Sequence, residues 1–241
     1  MKKAIIIGAT SGIGRELAVL LAKNNYYVGI TGRRKNLLEE LQAQMPNNFI
    51  VSDFDITDTK IVGNKLNELK DKLGGIDLIV LSSGASRRNR NGLDPQAEKE
   101  IIDVNVLGFK EVADWSIKYF LNQKYGHFVA LTSISGMRGI GSSPSYSATK
   151  AFQINYLESL QQLVENSKMP VFVTEIRPGF VDTQMARSRK KFWVAPVERA
   201  VKQIFNAIKK KKKKVYVTNR WRFVGLILKL IPRRIYIKLN F

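Results

Sequence analysis

The sequence predicts an α/β fold: a doubly wound, seven-stranded parallel sheet in a single domain, followed by a basic amphipathic C-terminal segment. Three observations predict it. Short runs rich in Ile, Val and Phe alternate with helical patterns from the first residues onward, the repeat that builds a parallel sheet covered on both faces. A glycine-rich turn joins the first apolar run to the first helical pattern. The 241 residues contain no internal repeat and no Gly/Ser linker, so no second domain fits before residue 200. The strand-like runs are 3–7, 27–31, 49–51, 76–81, 127–132, 171–176 and 215–218, each short and apolar as strands buried on both faces are. Helical patterns lie near 13–24, 35–44, 58–72, 96–122, 147–167 and 197–208. The expected division is residues 1–218 as the α/β domain and 219–241 as the appended segment.

Composition narrows the function. There are no cysteines, which excludes a disulfide scaffold, a thiolate metal site and a cysteine nucleophile. With a single histidine, His127, a metal cluster or triad needing several imidazoles is not expected either. His127 opens the fifth strand, at the end of the sheet away from any ligand, and reads as structural or exposed. No run reaches the length of a membrane-spanning helix, and the first strongly apolar stretch, 4–7, is too short for a secretory signal. A cytoplasmic location follows as the expectation.

The formal net charge is +20, and its distribution is uneven. From Thr183 to the end there are 18 basic residues and one acid, Glu198, a net of +17. The body is nearly balanced and the C-terminal quarter carries the excess. The lysine run 209–214 is followed by an apolar pattern containing Arg220, Trp221, Arg222 and Lys229, broken at Pro232. On a helical wheel Arg222, Gly225, Lys229 and Arg233 fall near one face. Trp221, Val224, Leu228 and Ile231 fall elsewhere, and Phe223, Leu226, Ile227 and Leu230 widen the apolar side. A basic amphipathic helix bearing a tryptophan is suited to an anionic membrane interface. A subunit contact, a lid over a pocket and a dock for an acidic carrier protein are the alternatives. Nothing in the sequence forms a base-reading module, so nucleic acid is not the expected partner.

The first strand runs directly into Gly8, Ala9, Thr10, Ser11, Gly12, Ile13 and Gly14. Glycines allow close approach of an anion, and a helix N-terminus offers free N–H groups. The loop is therefore a candidate phosphate site, with a ligand-free turn as the alternative. After the second strand, where an acid would bond the ribose 2′-hydroxyl of NAD, stand Arg33 and Arg34. Two guanidinium groups suit a 2′-phosphate, which favours NADP over NAD. Tyr146 and Lys150 lie four residues apart, on one face of a helix, so the ammonium can lower the phenol pKa for general acid/base work. Ser133 ends the fifth strand, at the open end of the sheet. Alone, the Tyr/Lys pair is also consistent with an ordinary helix surface.

Together these features resemble the short-chain dehydrogenase/reductase family, in its form of about 250 residues, over roughly residues 2–218. The resemblance implies a Rossmann sheet and a carbonyl–alcohol oxidoreductase. It assigns Asn105, Ser133, Tyr146 and Lys150 as catalytic, and Tyr146 and Lys150 also as cofactor contacts. Beside the glycine loop it adds Asp55 and Ile56 at the adenine, Gly84, and Pro178, Gly179 and Thr183 over the nicotinamide. Asn105 would hold a water linking Lys150 to solvent. Met137, Arg138 and Met185 fall in segments that flank the pocket, while Trp115 and Phe120 read as core or subunit contacts. Two departures stand out: Ile7 precedes the glycine loop in place of the family's threonine, and Leu81, Ser82 and Ser83 stand where it has Asn-Asn-Ala before the glycine kept at Gly84. A homodimer or homotetramer acting on a small carbonyl or alcohol is implied, and a lipid-like substrate would suit a membrane-facing tail. The alternatives are a 3-oxoacyl carrier-protein reductase and a non-catalytic NADP-binding sensor.

Overall fold

The computed structural model describes residues 1–89, 92–184 and 193–239. In chain order the elements are β1 (Lys2–Ile7), α1 (Gly12–Lys23), β2 (Tyr26–Gly32), α2 (Lys35–Gln44), β3 (Phe49–Asp53), α3 (Thr59–Leu73), β4 (Leu78–Leu81), α4 (Pro95–Ile102), α5 (Phe109–Gln123), β5 (Gly126–Leu131), α6 (Pro144–Asn166), β6 (Val171–Pro178), α7 (Val197–Lys209), β7 (Lys214–Val217), α8 (Arg220–Leu230) and α9 (Arg233–Tyr236). The seven strands form one parallel sheet in the order β3-β2-β1-β4-β5-β6-β7. The order reverses between β1 and β4, and at such a switch point the loops leaving the strands diverge and open a crevice.

Side-chain alternation along the strands builds two cores. On β1, Ala4 and Ile6 face a layer containing Leu17 and Leu21 of α1, Leu38 and Leu41 of α2, and Val201 and Ile204 of α7. Ile5 and Ile7 face the other layer, with Leu66 and Leu69 of α3, Val112 and Phe120 of α5, and Leu157 of α6. Burial on both faces explains why the strands read as continuous apolar runs. Local signals set the ends: Asp94 caps α4 by accepting from Gln96 N and Ala97 N, with Pro95 in its first turn. Gly74 ends α3 in the left-handed region at φ 69°.

The helix expected over 96–122 is instead two helices joined by a π-helical turn, Asp103–Gly108. Main chain crowds this turn: a Cβ on Gly108 would lie 2.7 Å from Ile56 O. The wider turn rotates Asn105 inward to complete burial. Hydrophobic periodicity cannot register such an extra residue, so the sequence showed one helix.

The lysine run leaves α7 and enters β7, which places it at the N-terminal end of the sheet. Lys211 lies 4.0 Å over the Phe172 ring and Lys213 pairs with Glu165 at 2.9 Å. It is therefore at the opposite end of β7 from α8, and the two basic stretches do not form one surface. His127 is buried at this same end. Thr174 Oγ1 donates to Lys212 O at 2.6 Å, so the 2.7 Å contact with His127 Nε2 is a donation from the ring to the hydroxyl.

Burial pushes the His127 pKa from 6.5 down to about 4, with Lys211 adding to the effect. The unfolded chain binds this proton at a higher pH than the folded one. The contribution to stability is thus complete above pH 6.5 and is lost as the pH falls toward 4, by up to about 3 kcal/mol. Urea melts across this window should show that loss, and His127→Gln should flatten this part of the profile.

Candidate functional site

A cleft of about 1250 Å³ opens over the C-terminal ends of the strands on either side of the switch point. Its floor begins with the glycine loop. Gly8 has φ +92°, and a Cβ there would lie 2.6 Å from Ser83 N. A Cβ on Gly14 would lie 2.1 Å from Gly8 O. Only glycine permits this packing of main chain on main chain. Ser82 N and Ser83 N both donate to Ile7 O, at 2.8 and 3.0 Å, so the strand exit is pinned without the asparagine of the usual motif. Ser11 precedes α1 in an extended conformation, makes no side-chain capping bond, and the first turn holds no acid. The helix therefore presents uncapped N–H groups and the positive end of its dipole, a fit for phosphate.

Two arginines stand beside this loop in different settings. Arg34 donates to Thr10 Oγ1 at 2.7 Å and to Ser11 Oγ at 3.0 Å. Arg33 lies 3.5 Å from Asp55 and 3.9 Å from Glu100. Asp55 also accepts from Thr57 N at 2.9 Å, which fixes the turn after β3.

On the other side of the switch point, Ser133 follows β5, and Tyr146 and Lys150 stand on the first turns of α6. Ser133 and Tyr146 both line the cleft, and Ser133 Oγ accepts from Ser135 N at 3.1 Å. Burial pushes the Tyr146 phenol up, and the nearby Ser133 hydroxyl pulls it part of the way back. The Lys150 Nζ lies 5.9 Å from the centre of the Tyr146 ring and donates to Leu131 O at 3.1 Å and to Gln153 Oε1 at 2.8 Å. Burial brings Lys150 itself down to about 7.

Gln153 is a residue that sequence reasoning missed. Its Nε2 donates to Asn105 O at 2.8 Å and its Oε1 accepts from Lys150 Nζ, so its amide bridges Lys150 and Asn105. The Asn105 side chain is also occupied: Oδ1 accepts from Ala85 N at 2.9 Å, and Nδ2 donates to Ala85 O at 2.8 Å and Thr149 Oγ1 at 3.1 Å. The available signal was spacing, since Gln153 is three residues after Lys150 and so shares its helix face.

Of the residues singled out from sequence, Gly8, Thr10, Ser11, Gly12, Ile13, Arg33, Arg34, Asp55, Ile56, Gly84, Ser133, Tyr146, Lys150, Pro178, Gly179 and Thr183 all line the cleft. Gly14 and Asn105 lie directly behind it, Asn105 Oδ1 being 3.4 Å from where a Cβ of Gly84 would stand. Arg138 also lines the cleft, and Met137 packs behind its α8 wall. Met185 lies outside the described residues. Of the readings open for the C-terminal segment, a cover for the pocket is the one that α8 and α9 fit here, closing one side through Trp221, Val224, Leu228 and Tyr236. The helical wheel put Gly225 with the cations, but it faces inward, where a Cβ would meet Met137 Sδ at 2.6 Å. Arg138 holds the wall in place. It donates to Leu228 O and Ile231 O, both at 3.0 Å, satisfying carbonyls at the C-terminus of α8, and stacks on Tyr236 at 4.2 Å.

The model of the short chain dehydrogenase family matches residues 2–192. An uncharacterized oxidoreductase of Staphylococcus saprophyticus is 35% identical over 191 residues, covering 77% of this chain and 80% of its own. One from Myxococcus xanthus is 32% identical over 188 residues, covering 76% and 74%. Among solved structures, a short chain dehydrogenase/reductase of Burkholderia phymatum in complex with NAD superposes with a TM-score of 0.81 at 20% identity, over 96% of each chain. ElxO with NADP bound gives 0.79 at 20% identity, over 90% of this chain and 96% of that one. An alcohol dehydrogenase of Thermococcus sibiricus complexed with 5-hydroxy-NADP gives 0.77 at 23% identity, over 90% and 95%.

The Gln153 bridge makes a prediction about stability. Gln153→Leu leaves Lys150 and the Asn105 carbonyl short of a buried partner, and should cost about 1–3 kcal/mol in urea unfolding.

Proposed function

The chain belongs to the short-chain dehydrogenase family, an oxidoreductase of CH–OH and C=O groups with a nicotinamide cofactor, and from that premise we propose that NADP is its preferred cofactor and that its substrate is a lipid-like carbonyl or alcohol. The observation that carries the cofactor preference is the pair of guanidinium groups at the end of β2. Arg34 already spans Thr10 and Ser11 of the glycine loop, and Arg33 stands beside Asp55. An NAD site would place an acid after β2 where these arginines stand. The apolar character of Val224, Leu228 and Trp221 on the cleft wall supports a lipid-like substrate. In this reading residues 1–218 are the catalytic domain and 219–241 the appended segment. The assembly is a homodimer or homotetramer, located in the cytoplasm and at the periphery of a membrane.

Gly8, Gly12 and Gly14, with Thr10, Ser11 and Ile13, would hold the pyrophosphate. Asp55, Ile56 and Gly84 would border the adenosine side, and Pro178, Gly179 and Thr183 the nicotinamide side. The bound cofactor supplies or accepts the hydride. Tyr146 donates its hydroxyl proton to the carbonyl oxygen in reduction and takes it back in oxidation. Ser133, which lines the same cleft, orients the same oxygen. Lys150 brings positive charge beneath the phenol, which favours the phenolate when the proton leaves. Asn105 clamps Ala85 and, through Gln153, sets the position of the Lys150 ammonium.

Fluorescence titration should show NADPH binding more tightly than NADH. Arg34→Gln or Arg33→Gln should weaken NADPH about 10–100-fold and leave NADH nearly unchanged, the loss of a charge-assisted contact to phosphate. Equal affinities in the starting protein would overturn the NADP preference. Tyr146→Phe should retain NADPH binding and lose at least about 100-fold in turnover, as removal of a general acid does. Retention of full turnover would remove Tyr146 from the chemistry.

A further inference from the structure

We propose that the outer face of α8, continued by α9, docks on an anionic lipid bilayer, and that the cleft draws its carbonyl or alcohol substrate from that bilayer. The proposal rests on the reading of the cleft as a carbonyl–alcohol site and adds where the substrate comes from.

The helix α8 is apolar on two opposite sides. Its inner side presents Trp221, Val224, Gly225 and Leu228 to the body of the protein, with Trp221 only 3% exposed. Its outer side presents Phe223, Leu226, Ile227 and Leu230, which are 57–72% exposed. At 3.6 residues per turn these two sets lie diametrically across the helix axis. A helix that only walled a pocket in water would carry polar residues on its outer side. The apolar surface continues past Pro232 through the exposed Ile235 and Ile237.

Charge decides the occupant. Arg220, Arg222 and Lys229 flank the outer stripe, and Arg233, Arg234 and Lys238 extend the pattern; no acid follows Glu198. Long basic side chains around an apolar stripe can reach phosphate headgroups while the stripe enters the acyl boundary. A second copy of the chain fits poorly. A two-fold contact would bring this face against itself, and every charge on it is positive. The lysine run contributes nothing here, because it lies at the other end of β7.

The inner and outer faces belong to one helix, so the cleft wall stands about 10 Å, a helix diameter, from the proposed bilayer surface. Arg138 fixes the C-terminus of this helix to the loop after Ser133. Docking therefore presents the cleft at a constant height above the membrane, where a lipid-soluble substrate reaches Val224 and Leu228 first.

The test uses the full chain and vesicles of phosphatidylcholine with or without about 30% phosphatidylglycerol. The protein should float with the anionic vesicles and at least about tenfold less with the neutral ones. The triple variant Leu226→Ser, Ile227→Ser, Leu230→Ser should lose about tenfold or more of that binding, while Lys210→Gln with Lys212→Gln behaves as the parent. With a water-soluble ketone the triple variant should retain its kcat/KM; with a long-chain ketone dissolved in anionic vesicles it should fall about tenfold. Absence of flotation with soluble-ketone turnover intact overturns the docking and leaves the enzymatic reading standing. Flotation without turnover of any carbonyl or alcohol overturns the enzymatic reading and the substrate route, and leaves the docking. Equal turnover of the vesicle-borne ketone by parent and variant overturns the substrate route. A triple variant that floats unchanged but sediments as a smaller oligomer assigns the face to a subunit contact and overturns the docking.

Discussion

The close approach of three main-chain segments at Gly8 is the constraint on which the site depends. The exit of β1, the first turn of α1 and the exit of β4 meet there with no side chain between them: Cβ atoms at Gly8 and Gly14 would fall 2.6 and 2.1 Å from neighbouring main chain. This contact brings the N-terminus of α1 to the rim of the sheet at the point where strand order reverses. Every other feature of the phosphate end, from the Ser11 turn to the reach of Arg34, is measured from it. The departure from the usual motif before Gly84 leaves the strand exit pinned, because Ile7 O takes the N–H groups of both Ser82 and Ser83.

The opposite side of the cleft is held by buried polar networks. One runs from Ala85 through Asn105 and Gln153 to Lys150 and Leu131 O. A second joins the ends of β5, β6 and β7. Arg177 pairs with Glu175 through bonds of 2.7 and 2.8 Å, Thr132 donates to Glu175 at 2.8 Å, and Arg177 reaches Tyr216 at 3.1 Å. Buried charges are costly to desolvate, so this pair does not by itself stabilise the fold. Its geometric effect is clear: Thr132 precedes Ser133, and Arg177 precedes Pro178 and Gly179, so one ion pair fixes both strand exits beside the Tyr146 hydroxyl. Removing one partner would leave a buried charge uncompensated.

Much of this was legible in the sequence. Each of the seven apolar runs became a strand; β4 begins at Leu78 rather than at residue 76, with Asp77 before it bonded to Lys3 O and His127 N through its main chain and to Lys3 N through its side chain. The glycine loop, Arg33 and Arg34, and Ser133, Tyr146 and Lys150 were singled out by residue type, by position at strand ends and by the family resemblance, and they converge on one cleft. The π-helical turn at Asn105, the Gln153 bridge and the Arg138 clasp on α8 were not legible. Each depends on a contact between residues distant in the chain or on a single inserted residue, and neither leaves a period.

The sequence by itself determined the alternation of elements, the residue types of the site and the excess charge of the C-terminal quarter, because these are local or compositional. Only the tertiary structure decided that the lysine run and α8 lie at opposite ends of β7. The same is true of α8 as a wall of the cleft, and of the Lys150 ammonium anchored by a glutamine, 5.9 Å from the centre of the Tyr146 ring. Helical periodicity records which residues share a face. It does not record which face a distant segment covers, and Met137, Arg138 and Gly179 made that choice by packing against α8.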